Sequence, residues 1–187
     1  KSLVVIERNA ARLSRLLDQL LSDATMTHRS DVRVFEPCDL VNVVHEAINE
    51  GVPHSRRHDV IVSTAFDQAP FVGDALMLGE AMKNLIDNAL KYGSAPGKPV
   101  SVFLRAEEDT YLITVADHGP GIPPSQQERV FERFVRGEGS IAGAGLGLAI
   151  VRRAIARHGG EVHLANQAGG GLAVTLRLPW RMQSADP

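Results

Sequence analysis

The sequence predicts an α+β fold of two layers, in which a sheet packs against three helices. Two observations lead to this prediction. Three segments have the apolar period of amphipathic helices, and the segments between them alternate like strands, mostly in hairpins across short turns. A third observation sets residues 1–25 apart from the sandwich, because their apolar residues follow a heptad repeat.

The N-terminal segment has apolar residues at alternating spacings of three and four, namely Leu3, Ile6, Ala10, Leu13, Leu17, Leu20 and Ala24. Further apolar residues flank this seam, which favours a helical bundle over a two-stranded coil. The alternative is an amphipathic helix that lies on its own domain, but the strictness of the repeat favours self-association. We assign residues 1–27 to this helix and 28–36 to a polar linker that Pro37 closes.

From residue 37 to 180 the chain alternates helices and strands. Helices are predicted over about 39–50, from a capping Asp74 to about Tyr92, and over 147–158. Strands are predicted over 60–66, 70–73, 100–106, 111–116, 161–166 and 172–178. Ser125 and Glu128 form a capping box, which predicts one short helix ending near Phe134. Residues 181–187 are a C-terminal tail.

Composition excludes several classes of function. The chain has 187 residues, of which 44% are hydrophobic and 22% charged, as in an ordinary globular domain with an appendage. Its net charge of −2 gives no basic footprint for nucleic acid, and one cysteine, Cys38, excludes a disulfide framework. No apolar run approaches the ~18 residues of a membrane span. Because the sequence opens on Lys1 inside a helical pattern, we expect a longer parent protein.

The first polar cluster lies on the second helix of the predicted sandwich. Asn84, Asn88 and Lys91 follow at i, i+4 and i+7, so they share one face of this helix. An amide oxygen is a suitable ligand for Mg²⁺, and an ammonium group nearby can neutralise phosphate charge. The alternative is a solvated polar face, which this pattern alone does not exclude.

Two further clusters follow the strand that ends near Ala116. Asp117, Gly119 and Gly121 combine a carboxylate, which can accept a hydrogen bond from an exocyclic amine, with glycines that let the backbone approach a flat ring. Residues 131–136 carry two aromatic side chains and two arginines, whose guanidinium groups suit phosphate. A generic Asp-Gly turn and a helix end with surface arginines are the respective alternatives.

A glycine run opens the last predicted helix, at Gly143-Ala-Gly145-Leu146-Gly147-Leu148. Glycine amides at a helix N-terminus form an anion site that suits phosphate groups. The run is neither a Rossmann fingerprint nor a P-loop. Residues 93–99 imitate a P-loop, but their spacing is short and the hydroxyl is missing. Residues 117–119 imitate part of a protein-kinase signature whose other motifs are absent.

Together, in this order and spacing, the four clusters resemble the N, G1, F and G2 boxes of bacterial sensor histidine kinases over residues 37–179. The resemblance implies a Bergerat-type ATP-binding sandwich, a mixed sheet on three helices. It identifies the heptad segment with the second helix of the dimerisation and phosphotransfer domain. The implied cofactors are ATP and Mg²⁺, with Asn88 as the metal ligand. The implied nucleotide contacts are Asn84, Asn88, Lys91, Tyr92, Asp117, Gly119, Gly121, Ile122, Arg133, Phe134, Arg136, Gly143, Gly145, Leu146, Gly147 and Leu148.

The same resemblance implies roles for these residues. Asn84, Asn88, Lys91 and Arg136 are the implied catalytic residues, and a lid spans about 129–145. Tyr92 resembles the aromatic residue that packs on adenine, and Asp117 resembles the aspartate that accepts a hydrogen bond from the adenine amine.

Two departures from the wider superfamily are informative. Hydrolytic relatives carry a glutamate one turn before the metal-binding asparagine, where this chain has Asn84, and Glu80 lies a further turn away. This difference favours phosphoryl transfer to a protein over hydrolysis. None of the seven histidines matches the family's phosphoacceptor context. We therefore expect the accepting histidine on a helix outside this sequence.

The resemblance implies relay of the phosphoryl group from that histidine to the receiver domain of a response regulator. It implies a homodimer through the N-terminal helix, no nucleic-acid partner, and a cytoplasmic location. Contact with the inner membrane would come only through parts of the parent outside this sequence. One alternative is an anti-sigma-factor serine kinase of the same superfamily, although such compact kinases lack a heptad helix. Another is a non-catalytic ATP-sensing or dimerising module, although Asn88 and Asp117 are both present.

Overall fold

The computed structural model describes residues 35–93, 97–131 and 147–180. The predicted N-terminal helix and C-terminal tail, and most of the predicted lid, lie outside these ranges. The described α-helices are α1 Leu40–Gly51, α2 Ala75–Tyr92 and α3 Gly147–Arg157. The described strands are β1 Glu36–Asp39, β2 Val60–Thr64, β3 Pro70–Gly73, β4 Val100–Glu107, β5 Thr110–Ala116, β6 Glu161–Asn166 and β7 Leu172–Pro179.

The strands form a mixed five-stranded sheet and a separate antiparallel pair. The sheet has the order β2-β4-β5-β7-β6, in which β2 and β4 are parallel and the other neighbours are antiparallel. Strand β1 pairs with β3 outside this sheet. The hairpins β4–β5 and β6–β7 are those that the alternating pattern predicts.

One face of the sheet packs on the helices. In β4 and β7 alternate side chains are buried, at Val100, Val102, Leu104, Leu172, Val174, Leu176 and Leu178. Helix α2 contacts both α1 and α3, and its buried side chains belong to the same core as those of the strands. The other face of the sheet is partly exposed, since Phe103 on β4 is 44% exposed and Ile61 on β2 is 54% exposed. This arrangement is the predicted two-layer sandwich.

The sheet register brings the ends of several strands to one edge of the sheet. Ala116 at the end of β5 pairs with Ala173, and Asn166 at the end of β6 pairs with Leu172. The end of α2 reaches the same edge, because the backbone N–H of His118 donates to the carbonyl oxygen of Gly93 at 3.1 Å. The predicted site residues that follow β5 therefore meet the end of α2 here.

Two local predictions differ from the structure. Strand β1 is not predicted from the sequence, because its four residues include Pro37 and show no alternation. It forms because it pairs with β3. The prediction of a single helix capped by Ser125 is wrong for the described residues. They form two short 3₁₀ segments, Pro124–Gln126 and Arg129–Phe131. The first segment has no side-chain capping hydrogen bond, because Pro123 stands at the capping position.

A buried histidine joins α3 to the start of α2. His158 is 3% exposed, and its Nε2 accepts a hydrogen bond from the backbone N–H of Asp74 at 3.0 Å. Its Nδ1 lies 2.7 Å from the carbonyl oxygen of Ala154, which requires a proton on Nδ1. Asp74 in turn caps α2, as predicted, by accepting from the backbone N–H of Met77 at 3.0 Å. Within the described residues, no helix is long and apolar enough to cross a membrane.

Candidate functional site

The Asp117 carboxylate is the most firmly held polar group at the edge where β5 and α2 end. Asp117 is 9% exposed. Its Oδ1 accepts from the backbone N–H groups of Gly119 at 2.9 Å and Leu172 at 3.0 Å. Its Oδ2 accepts no hydrogen bond from the residues that the structure describes. One carboxylate oxygen is thus fixed by the protein and the other is left to accept from a ligand.

The end of α2 lies directly against this carboxylate. A β-carbon at position 93 would overlap the side chain of Asp117, so only glycine allows this approach. A β-carbon at position 119 would overlap the carbonyl oxygen of Tyr92. The helix end and the loop after β5 therefore pack backbone to backbone. Tyr92 itself is 37% exposed at the rim of this contact.

The loop after β5 is held at its far end by the β6–β7 hairpin. The Asn166 side chain accepts from the backbone N–H of Ile122 at 2.9 Å and donates to the carbonyl oxygen of Ile122 at 2.8 Å. Gln127 Nε2 also donates to that carbonyl oxygen at 3.2 Å. Gly121, one residue earlier, has a φ of 74°, a conformation that favours glycine. The predicted contacts Gly119, Gly121 and Ile122 thus lie together with Asp117 in one short loop.

The paired asparagines of α2 face the first residue of α3. A β-carbon at Gly147 would lie 3.2 Å from Asn84 Oδ1 and 3.2 Å from Asn88 Nδ2. Asn84 Nδ2 donates to the carbonyl oxygen of Glu80 at 2.8 Å, so Asn84 Oδ1 remains as an acceptor. The Asn88 side chain makes no hydrogen bond with the described residues. Leu148, the next residue of α3, packs against the core. Two amide oxygens and a helix N-terminus therefore meet, which fits a magnesium ion bound together with phosphate.

Lys91, the third member of the predicted cluster, has a partner on its own helix. It forms an ion pair with Asp87 one turn earlier, and its side chain is 26% exposed. A nucleotide phosphate at the α3 N-terminus would have to compete with Asp87 for this ammonium group.

The remaining predicted contacts lie outside the described residues, namely Arg133, Phe134, Arg136, Gly143, Gly145 and Leu146. The segment that leads to them is anchored. Phe131 is buried, and the guanidinium carbon of Arg152 on α3 lies 5.3 Å from the centre of its ring. No group of three or more His, Cys, Asp or Glu side chains in the described ranges could hold a metal ion. A metal here would therefore depend on amide oxygens, phosphate and water.

Sequence reasoning missed four residues that build this site: Gly93, Asn166, Gln167 and Gly171. Gln167 Nε2 donates to the carbonyl oxygen of Asp117 at 2.7 Å. A β-carbon at position 171 would overlap the same carbonyl oxygen. In the sequence Asn166 is only the last residue of a predicted strand, and the other three lie in or beside predicted turns. Their partners are 24 to 54 residues away in the chain, so no local pattern could have revealed them.

The chain is similar to known proteins across this site. A family model described as histidine kinase-, DNA gyrase B- and HSP90-like ATPase matches residues 73–182. The signal transduction histidine-protein kinase/phosphatase MprB of Mycolicibacterium paratuberculosis is 36% identical over 174 residues, which is 89% of this chain and 33% of MprB. The sensor-like histidine kinase SenX3 of Mycobacterium bovis is 35% identical over 181 residues, which is 94% of this chain and 43% of SenX3. The chain thus spans less than half the length of either relative.

A solved structure supports the same likeness. The structure of a mycobacterial sensor histidine kinase MprB superposes with a TM-score of 0.67 at 36% identity, covering 79% of this chain and 98% of that chain. The α+β prediction is therefore confirmed.

Proposed function

This chain belongs to the family of histidine kinase-, DNA gyrase B- and HSP90-like ATPases, and from that premise we propose that it transfers the γ-phosphoryl group of Mg-ATP to a histidine. It is the ATP-binding catalytic domain of the sensor histidine kinase type. The observation that carries the proposal is the position of Asp117, whose free carboxylate oxygen lies at the same sheet edge as the end of α2.

Asp117 provides the adenine end of the proposed pocket. The amides of Gly119 and Leu172 occupy Oδ1, so Oδ2 is the acceptor for the exocyclic amine of adenine. A purine with a carbonyl group at that position would place two acceptors against each other. Tyr92, exposed beside this loop, offers a ring face to the base. The proposed pocket therefore selects adenine over guanine.

Asn88 and the N-terminus of α3 provide the phosphate end. When bound, Mg²⁺ would neutralise phosphate charge, with the Asn88 amide oxygen as its protein ligand and Asn84 beside it. The backbone amides of Gly147 and Leu148 would bind phosphate oxygens. Lys91 would leave its ion pair with Asp87 and bind a phosphate oxygen instead. Arg133 and Arg136 are proposed to approach the phosphates from outside the described residues, together with the glycines at 143 and 145.

The residue one turn before Asn88 supports transfer to a protein over hydrolysis. Asn84 stands where the hydrolytic relatives carry a glutamate, and an amide cannot accept the proton of an attacking water. Glu80 is a further turn away, and its carboxylate forms a salt bridge with Lys83 at 2.5 Å. A second salt bridge joins Lys83 to Glu50 at 3.1 Å. Catalysis would consist of positioning and charge neutralisation.

The whole-protein activity extends this proposal. The accepting histidine would lie on a helix outside this sequence, and the phosphoryl group would pass on to an aspartate of a response regulator receiver domain. Residues 1–27 would form the dimer with a second copy. The relatives MprB and SenX3, both named as histidine kinases, favour this proposal over a serine kinase that acts on anti-sigma factors.

Calorimetric titration with a non-hydrolysable ATP analogue tests the pocket. We expect binding in Mg²⁺, weaker binding in EDTA, and loss of this difference in Asn88→Ala. Asp117→Asn should weaken binding in both conditions, because an amide replaces the acceptor that faces the adenine amine. Asn42→Ala, an exposed asparagine on α1, is the matched control.

Labelling with γ-³²P ATP tests the chemistry. The chain alone should stay unlabelled, whereas an added histidine-bearing dimerisation domain from its parent should gain acid-labile label. Acid-labile label on the chain alone, or equal losses for Asn88→Ala and Asp117→Asn under both titration conditions, would refute the assignment of roles.

A further inference from the structure

The β6–β7 hairpin contacts the loop after β5 through side chains that no local pattern predicts. Asn166 contacts both backbone polar groups of Ile122, at 2.9 and 2.8 Å. Gln167 Nε2 donates to the carbonyl oxygen of Asp117 at 2.7 Å. The backbone N–H of Leu172 donates to Asp117 Oδ1 at 3.0 Å. The hairpin thus holds this loop at its first and last residues.

We propose that Asn166 and Gln167 are positioning residues that orient the Asp117 carboxylate toward a purine base. This inference rests on the proposed function, since it assigns a task to the adenine end of the same pocket. The loop from Asp117 to Ile122 contains two glycines and belongs to no strand or helix. Its own backbone therefore restrains it little, and the restraint comes from the hairpin.

The hairpin is a rigid support because the sheet holds it. Asn166 pairs with Leu172 in the β6–β7 ladder. The turn between them closes on itself, with the backbone N–H of Gln167 donating to the carbonyl oxygen of Gly171 at 2.9 Å. Gly171 has a φ of 112°, and a β-carbon there would overlap the carbonyl oxygen of Asp117. The backbones of the hairpin and the loop are thus in direct contact.

The amide chemistry of residue 166 suits this task. A carboxamide can accept from the N–H of Ile122 and donate to its carbonyl oxygen at once, as a neighbouring strand would. An aspartate would keep the first bond but place a negative oxygen against the carbonyl. Asn166→Asp is therefore expected to behave like Asn166→Ala, although it preserves the shape of the side chain.

Because Asp117 recognises the base and the phosphates bind elsewhere, loss of positioning should lower base selectivity more than phosphate affinity. Calorimetry with ATP and with purine riboside triphosphate, which lacks the exocyclic amine, measures that selectivity directly. We expect the intact chain to prefer ATP, and Asn166→Ala to lower this preference by about fivefold, comparable with the loss of one hydrogen bond. The affinity for inorganic triphosphate should stay within about twofold of the original value.

Three further variants complete the test. Gln167→Ala removes only the hydrogen bond to the Asp117 carbonyl oxygen, so its base preference can be measured even if Asn166→Ala fails to fold. Asn42→Ala is the matched control. In an Asp117→Asn background, Asn166→Ala should cause no further loss of preference, because its effect passes through Asp117. A purely structural role would lower triphosphate affinity as much as base preference.

The outcomes separate this inference from the proposed function. If Asp117→Asn abolishes the preference for ATP while Asn166→Ala and Gln167→Ala retain it, the positioning role is refuted and the adenine pocket stands. If the intact chain shows no preference and Asp117→Asn changes nothing, the adenine pocket itself is refuted, and the positioning role falls with it.

Discussion

Acidification should destabilise this domain through His158. Burial lowers the pKa of His158, the hydrogen bond to Ala154 and the Asp74 carboxylate raise it, and Arg157 lowers it, with burial the largest effect. Nε2 already accepts from the backbone N–H of Asp74. A proton on Nε2 would place two donors against each other and break the link between α3 and the start of α2.

The sign and size follow from proton linkage. In the unfolded chain the histidine takes up a proton near pH 6.5, its ordinary pKa, while in the folded state it does so only at lower pH. Between these two values the unfolded state binds more protons, so the free energy of unfolding falls as the pH falls. The stabilisation that neutral His158 provides is fully present well above pH 6.5. Because only one proton is taken up, the free energy of unfolding falls by at most about 1.4 kcal/mol per pH unit.

Urea denaturation at pH 7.5, 6.5 and 5.5, followed by circular dichroism, measures this loss. His158→Gln is the control, because glutamine can accept from the Asp74 N–H but does not titrate. The difference between the two proteins removes the contribution of the other six histidines. We expect the original chain to lose up to about 1 kcal/mol more than the variant on going from pH 6.5 to 5.5, because the unfolded histidine is already half protonated at pH 6.5. Equal losses in the two proteins would refute the reasoning.

Four glycine substitutions give further predictions. Gly93→Ala should destabilise the domain by about 1–3 kcal/mol in urea denaturation and weaken ATP binding in calorimetry, because the methyl group would overlap Asp117. Gly169→Ala, with open space around it, is its control and should change neither quantity. Gly147→Ala should fold normally but weaken Mg-ATP binding, since the methyl group would crowd Asn84 and Asn88. Gly79→Ala, with open space around it in α2, should stabilise the domain by about 0.5–1 kcal/mol and leave binding unchanged. Normal Mg-ATP binding by Gly147→Ala would contradict the proposed metal site.

The sequence predicts elements well where local pattern and tertiary structure agree. Helix α2 is the clearest case, because Asp74 caps it as expected and its apolar period matches the buried side chains. The i, i+4 spacing of Asn84 and Asn88 is enough to place both amides on one face, and in the structure both side chains lie close to Gly147. The hairpins follow from alternation. These features depend on residues that are close in the chain.

The sequence predicts poorly where a contact joins distant segments. Strand β1 has a proline and only four residues, and it exists because β3 lies beside it. The residues at 124–131 show the opposite error, since a capping box predicts one helix there and the structure has two short 3₁₀ segments. The phosphate contact of Lys91 stays a prediction. In the structure Lys91 pairs with Asp87 four residues earlier, and the proposed contact requires that pair to break.

The same distinction separates the two parts of the candidate site. Groups that would contact a nucleotide, such as Asn88 and Asp117, have a suitable chemistry. They also lie at positions that a sequence pattern can predict, on a helix face and after the end of a strand. Groups that hold them, such as Gly93 and Asn166, have ordinary chemistry, and their importance lies in what they approach. A glycine after a helix is expected to end it, yet Gly93 also makes room for the side chain of Asp117. Asn166 is an exposed residue at the end of a strand, yet it binds both backbone polar groups of Ile122. Substitutions of such supporting residues should therefore change nucleotide selectivity without removing any group that contacts the nucleotide.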